Sequence, residues 1–402
     1  MRKKLHLKFS AFSLDFWRRE YTIALVACIG LLLFFLTFGR VPELAAQQEI
    51  ATAQSASSLQ TILENPVNAP YKIVSLLTTQ ISSSIVMVRL VSFSIFVFAC
   101  VSLMYALRHW HAQRAALLAT IAFATNSVVL AIARLGTPLI TVFSWFIFAS
   151  MLLWQLHSRS NKLVPAATLI GLGVLLYTPG AVWFFAIMFI VYNKRIMTLF
   201  KDVKRRALMI GGLCAVILAL PLIVSFIRDG NLLKEWLLLP ETMQWGEIPT
   251  AILRVPSAFI YRMPEEPLIN VAQLPVFDLV GGMLFLIGLN AYRQKLKLDR
   301  TKLMVGCAIV GVIIGALGQI ITAVVLLLPF AFSVIAAGIE FLLDEWHSVF
   351  PRNPFAQAFG SLLITIVIIF GAYYHLTRAF VVWPQTPETK NVYTQSRIID
   401  AQ

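Results

Sequence analysis

The chain has 402 residues, of which 59% are hydrophobic and only 13% charged, with 33 Lys and Arg against 19 Asp and Glu. A water-soluble domain needs far more polar surface, so most of this chain has to be solvated by lipid. The net charge of +14 is no nucleic-acid footprint, because the basic residues cluster in turns between apolar runs, as they do on the cytoplasmic side of membrane proteins.

A spanning helix takes about 20 apolar residues. Long unbroken runs such as Tyr21–Gly39 and Ala207–Ile227 exclude the short alternating segments of a β-barrel. The N-terminal segment carries Arg2, Lys3, Lys4, Lys8, Arg18 and Arg19 and precedes the first run, Tyr21–Gly39. Ala45–Ala46 resembles a signal-peptidase site, but the apolar run is longer than a signal peptide needs, which favours an uncleaved anchor. With its basic flank inside, the first span runs outward. A polar segment, 40–82, then lies outside, and 43–63 is expected to form a helix along the membrane interface, with Ile50, Leu59 and Leu63 as partial anchors.

The second span covers about 83–107 and returns to a basic turn at Arg108–Arg114. The third and fourth, about Ala115–Ala133 and Pro138–Leu156, flank a short outer turn, Arg134–Thr137. The fifth and sixth form a hairpin broken at Pro179-Gly180. A single kinked helix over 164–193 is rejected, since it would put the six basic residues of 194–206 outside. The seventh span, Ala207–Ile227, leads to a second long outer segment, 228–275, carrying Trp236, Trp245, Arg254, Tyr261 and Arg262. The remaining spans are an eighth at Val276–Tyr292, a ninth ending near Gly318, a tenth at about Gln319–Leu342, and an eleventh before the tail that starts at Arg378.

The expected fold is therefore an all-α polytopic membrane protein of about eleven transmembrane helices in one integral domain, 1–402, with its N-terminus inside, its C-terminus outside and two long extracytoplasmic loops. In this threading the inner segments hold 22 of the 33 Lys and Arg but 7 of the 19 acids, as the positive-inside rule requires. The setting is a plasma (cytoplasmic) membrane. Cys28, Cys100, Cys214 and Cys307 all fall within apolar runs and read as small core residues. No metal-ligand spacing, phosphate loop or cofactor motif is present, so neither a metal nor a cofactor is expected. Arg89, in the first turns of the second span, either faces a polar partner or snorkels to the outer boundary. His375 reads as an interface residue.

An outward first span, an acid-bearing outer segment, the stretch Asn65–Lys72 and a helix containing Val88-Arg89-Leu90 occur in that order. With Arg114-Ala-Ala-Leu-Leu-Ala119 and the turn Ala133-Arg134-Leu-Gly-Thr-Pro138, this order resembles the GT-C membrane glycosyltransferases. The nearest likeness is to glycosyltransferase family 39, which includes protein mannosyltransferase and aminoarabinose-transferase relatives, and it covers about 21–193. The resemblance implies a GT-C fold and transfer of a sugar, with inversion, from a polyprenyl-phosphate donor to a lipid, glycan or protein acceptor at the outer face. It implies that Glu43 is the general base, with Glu49 in reserve, and that Arg134 holds the departing phosphate. Arg89, Arg254 and Arg262 are the further candidates for donor binding. The sequence departs from the family pattern in having Pro42-Glu43 where Asp-Glu is usual, and Thr137-Pro138 where a further acid is usual. A transporter or flippase, and a non-catalytic relative of the glycosyltransferases, are the competing readings. Broken helices with polar sites at mid-membrane would favour the transporter.

Overall fold

The computed structural model describes residues 30, 33, 44–82, 84–142, 164–202, 205–240, 246 and 248–395. Glu43, most of the first expected span and most of the fourth lie outside the described residues.

Residues 44–82 open with a two-residue strand, β1 (Ala45–Ala46), followed by three short helices, α1 (Gln47–Ser55), α2 (Leu59–Glu64) and α3 (Ala69–Ile81). The single interfacial helix expected over 43–63 is thus split, because Ser58 leaves the helical region and caps α2 by accepting the Thr61 N–H. α4 (Ile85–Trp110) starts where the Ser84 hydroxyl accepts the Val86 N–H, and ends with Arg108 and His109 beside the negative end of its dipole.

The third expected span is two helices, α5 (Gln113–Thr125) and α6 (Ser127–Arg134), bent by 57°. Asn126 makes the break. Its side-chain oxygen accepts the N–H groups of Val128 and Val129 at 3.0 and 3.4 Å, while its amide nitrogen donates to the Val276 carbonyl at 2.9 Å. Neither bond set survives in a continuous helix, so the cap and the tertiary bond together hold the bend.

α7 (Val164–Leu175) and α8 (Ala181–Asp202) meet at the turn expected around Pro179-Gly180, where Gly180 adopts φ 75°. α8 runs on through the basic residues Lys194 and Lys201, with a non-helical Tyr192. α9 (Arg205–Arg228) follows, and then α10 (Gly230–Leu237) and α11 (Ile248–Ile260). α12 (Leu279–Arg293), α13 (Asp299–Ala316), α14 (Ile320–Val349) and α15 (Pro354–Thr377) complete the bundle. The tail passes through a π turn (Arg378–Val382), a 3₁₀ turn and α16 (Pro387–Val392) to β2 (Tyr393–Gln395), which pairs antiparallel with β1.

α14 is the hub. It is buried over most of its apolar length and touches α5, α12, α13 and α15. α12 lies so close that a Cβ on Gly288 would stand 1.9 Å from the Val334 carbonyl oxygen, and one on Gly338 would stand 2.1 Å from that of Leu284. Small residues are what permit backbones to approach this closely. By contrast α9 and α15 are mostly exposed, and what they expose is Ile217, Ile227, Leu362 and Phe370.

Among the described residues, α4, α9, α14 and α15 with its tail extension are long and apolar enough to cross a membrane, and the bent α5–α6 pair makes a fifth. The fold is all-α apart from the β1–β2 pair, with four to five candidate spans and shorter apolar helices at Ala181–Lys194, α11 and α12.

The bundle has two distinct ends. One gathers the first segment, the Leu135–Thr137 turn, the turn before α8, the residues before α12 and the tail. Bonds across it include Asn68 N–H to Tyr177 O (2.8 Å), Gly180 N–H to Trp236 O (2.7 Å) and Trp383 Nε1 to Pro267 O (3.0 Å). The other gathers the basic turns, where His111 Nδ1 lies 2.6 Å from Glu340 Oε2 and Arg300 donates to the Trp110 carbonyl.

Candidate functional site

Glu49 stands in the first turn of α1, where its carboxylate reaches back to the Ala46 N–H at 3.0 Å. That is the geometry of a helix-capping acid. The same carboxylate is gripped by Arg89, whose Nε donates to Oε1 and whose Nη2 donates to Oε2, each at 2.8 Å. Gly136 N–H donates to Oε1 at 2.9 Å, and Arg89 Nη2 also donates to the Leu44 carbonyl at 2.9 Å. Gly136 suits this approach, since a Cβ there would already lie 3.1 Å from Val88 Cγ1 and 3.4 Å from Glu49 Oε1.

The Glu49 side chain is fully buried and that of Arg89 is 6% exposed. Each carboxylate oxygen of Glu49 accepts two N–H groups, so no lone pair remains for a substrate proton. Glu49 therefore serves to lock β1, α1, α4 and the Leu135–Thr137 turn together. Arg89 has a polar partner and does not snorkel.

Tyr393 of β2 lies 5.6 Å beneath the Arg89 guanidinium. Burial, and after it the Glu49 carboxylate, push its phenol above the ordinary range, while the two arginines oppose them. The ring is thus a neutral lid over the ion pair.

Arg134 closes α6 next to this cluster. Its Nε donates to Leu130 O at 3.2 Å and its Nη1 to Ala379 O at 3.0 Å. The guanidinium lies 4.5 Å from the Trp383 ring centre and 5.2 Å from that of Phe380. Its Nη2 is buried and has no hydrogen-bond partner. A buried donor left unfilled costs free energy, and a guanidinium fixed by two carbonyls and two aromatic faces suits binding one anionic oxygen.

The structure thus brings Glu49, Arg89 and Arg134 to one end of the bundle. Arg254 and Arg262 are at this end but exposed, on α11 and just after it, and Arg262 is engaged with Gln273. Neither joins the buried cluster. The sequence reading missed Gly136, Tyr393, Phe380 and Trp383. Only the aromatic tail signal, Phe380 to Trp383, was there to be noticed. Among the described residues no group of three or more His, Cys, Asp or Glu is placed to hold a metal ion. Compared with known proteins, the chain matches no family model and no curated protein.

Proposed function

We propose that this chain is a GT-C-type membrane glycosyltransferase, with about eleven spans, that moves a sugar from a polyprenyl-phosphate donor to an acceptor at the loop-bearing end of the bundle. On this reading the basic end faces the cytoplasm and the loop-bearing end faces out. Arg134 is the observation that carries the proposal: a buried guanidinium whose Nη2 has no hydrogen-bond partner, beside the loop segments at one end of the bundle. As the bond from the sugar to phosphate breaks, charge builds on the departing phosphate. A preorganised charge-assisted hydrogen bond from Nη2 stabilises that charge, an effect of order 10²–10³ in rate for one such donor. Glu43 remains the base that the family resemblance implies.

The test is transfer from labelled polyprenyl-phosphate sugars by protein reconstituted in sealed vesicles. Wild type transfers the label, Arg134→Ala loses about a hundredfold or more in kcat, and Arg134→Lys recovers little because it lacks the planar fork. Absence of transfer from every donor offered sinks the proposal. The 57° break at Asn126 favours a second reading, a transporter with a polar site between half-helices. Counterflow of solute or lipid across the same vesicles, without chemical transfer, is the outcome that would select it.

A further inference from the structure

α3 is built inside out. Its buried side carries Tyr71, Lys72 and Ser75 as well as Ala69 and Leu76. Its exposed side carries Ile73, Val74, Leu77 and Ile81, the last two 57% and 80% exposed. These four positions form one helical stripe, and among the fully exposed residues of α3 only Gln80 is polar. A helix resting on a protein in water has the opposite arrangement, apolar side in and polar side out. The inner polar groups have partners within the fold. The Tyr71 hydroxyl lies 2.8 Å from Ser92 Oγ, and Lys72 Nζ donates to the Asn65 carbonyl at 2.8 Å, so the one cation of α3 is turned away from the apolar stripe.

Two sets of contacts fix the level at which α3 sits. Tyr71 meets α4 at Ser92, about 10 Å along the helix from its first residue, Ile85. With 26 residues α4 is about 39 Å long, against about 30 Å for a hydrocarbon core. Ser92 is therefore at or inside the membrane boundary when α4 crosses the bilayer. On its other flank, Ala69 and Leu76 of α3 and Ile62 of α2 pack in one apolar cluster with Leu222 of α9. Around that contact α9 exposes Leu220, Ile223, Val224 and Ile227. Ile227, 80% exposed, is nearer the end of α9 than Leu222, so the apolar outer face of this candidate span continues past the level of α3.

The stripe on α3 is thus continuous with the surface that α9 offers to lipid. At 13 residues, about 20 Å, α3 is too short to cross. Isolated exposed apolar side chains are ordinary, but a stripe of four backed by a buried lysine and tyrosine has to be covered.

We propose that α3 lies in the leaflet at the loop-bearing end of the bundle, with Ile73, Val74, Leu77 and Ile81 against the lipid acyl chains, so that the bilayer itself is the partner of this face. Leu59 and Leu63 of α2, both more than 60% exposed, border the same leaflet, whereas Ile50, expected from the sequence to be an anchor, is buried. The seat also sets the depth of the neighbouring site. Ser92 Oγ donates to the Thr137 carbonyl at 3.2 Å, which ties α3 through Tyr71 to the turn that follows Arg134. The Glu49–Arg89–Arg134 cluster is held at the membrane surface and does not stand off in water. This inference does not depend on the transferase reading.

The test uses the unmodified full-length protein in vesicles of phosphatidylcholine and phosphatidylglycerol. A membrane-dissolved diazirine probe is photolysed, and the labelled residues are mapped by peptide mass spectrometry. Carbene yield on Leu77 and Ile81 is expected to be at least about one third of that on Ile223 and Ile227 of α9, with Ile50 labelled less than about a tenth as much. A yield on Leu77 and Ile81 below one third of the α9 value overturns the proposal. Hydroxyl-radical footprinting of the same vesicles then separates the alternatives. Oxidation of Leu77 and Ile81 assigns the stripe to water. Protection from both reagents that disappears at one protein per vesicle assigns it to a second copy of this chain, and protection that persists at that dilution assigns it to burial within the chain.

Discussion

Removing either partner of the Glu49–Arg89 pair is expected to cost more than any single exposed substitution. Glu49→Ala strands a guanidinium that is 6% exposed and deprives the Ala46 and Gly136 N–H groups of their acceptor. Breaking a buried pair from one side costs about 3–5 kcal/mol, since the remaining charge keeps its desolvation penalty. Stranded backbone donors add about 1–3 kcal/mol each where water cannot reach them. The expected loss is therefore at least about 3 kcal/mol, a factor of more than a hundred in the folding equilibrium. The double variant Glu49→Leu with Arg89→Met leaves no bare charge and is expected to lose less than the sum of the two single changes, with a coupling of about 2–3 kcal/mol. Unfolding by sodium dodecyl sulfate titration in mixed micelles, followed by tryptophan fluorescence, measures all three. A loss below about 1 kcal/mol for Glu49→Ala, or a double variant equal to the sum of the singles, would refute the view of this pair as a buried lock.

Three further outcomes follow from the packing. Gly338→Ala drives a methyl group into the Leu284 carbonyl, 2.1 Å from the ideal Cβ, and should destabilise by about 1–3 kcal/mol despite alanine's better helix propensity; the same titration reads it. Asn126→Ala removes the α6 cap and the bond to Val276, an expected loss of about 2 kcal/mol, whereas Asn126→Asp keeps the cap and should lose less. At the basic end, burial holds His111 below its ordinary range. Glu340 pulls the other way, and Arg300 and Lys295 add to the depression, while the Tyr292 hydroxyl faces Nε2. The folded state then binds fewer protons than the unfolded state near pH 6.5, so stability is full above that value and falls as pH drops through it. Unfolding midpoints at pH 7.5 and 5.5 should show this fall, and His111→Gln should lessen it.

The apolar runs carried most of what could be read in advance. The helices at Ile85–Trp110, Arg205–Arg228, Ile320–Val349 and Pro354–Thr377 fall where hydrophobic length and basic flanks put them, and the turn before α8 falls at Pro179-Gly180. These features depend on residues close in sequence. The break at Asn126 was also local: an Asn-Ser pair inside an apolar run offers a helix cap, but the run was read as continuous. The site was harder to see. Arg89 finds Glu49 forty residues upstream, and Arg134 rests on Phe380 and Trp383 from the far end of the chain. The strands β1 and β2 have two and three residues, too short to show any alternation.

The pairing of β1 with β2 bears on the order in which the protein is assembled. Ala45 and Ala46 emerge from the ribosome early, whereas Tyr393 emerges near the end of synthesis. At 5–20 residues per second the interval is on the order of half a minute. During that time β1 has an open strand edge, and Arg89 and Arg134 lack their aromatic cover. The last described strand thus acts as a clasp that closes only once every helix before it has been inserted. A nascent or truncated chain can insert its helices yet remain unsealed, with a hydrogen-bonding edge on display.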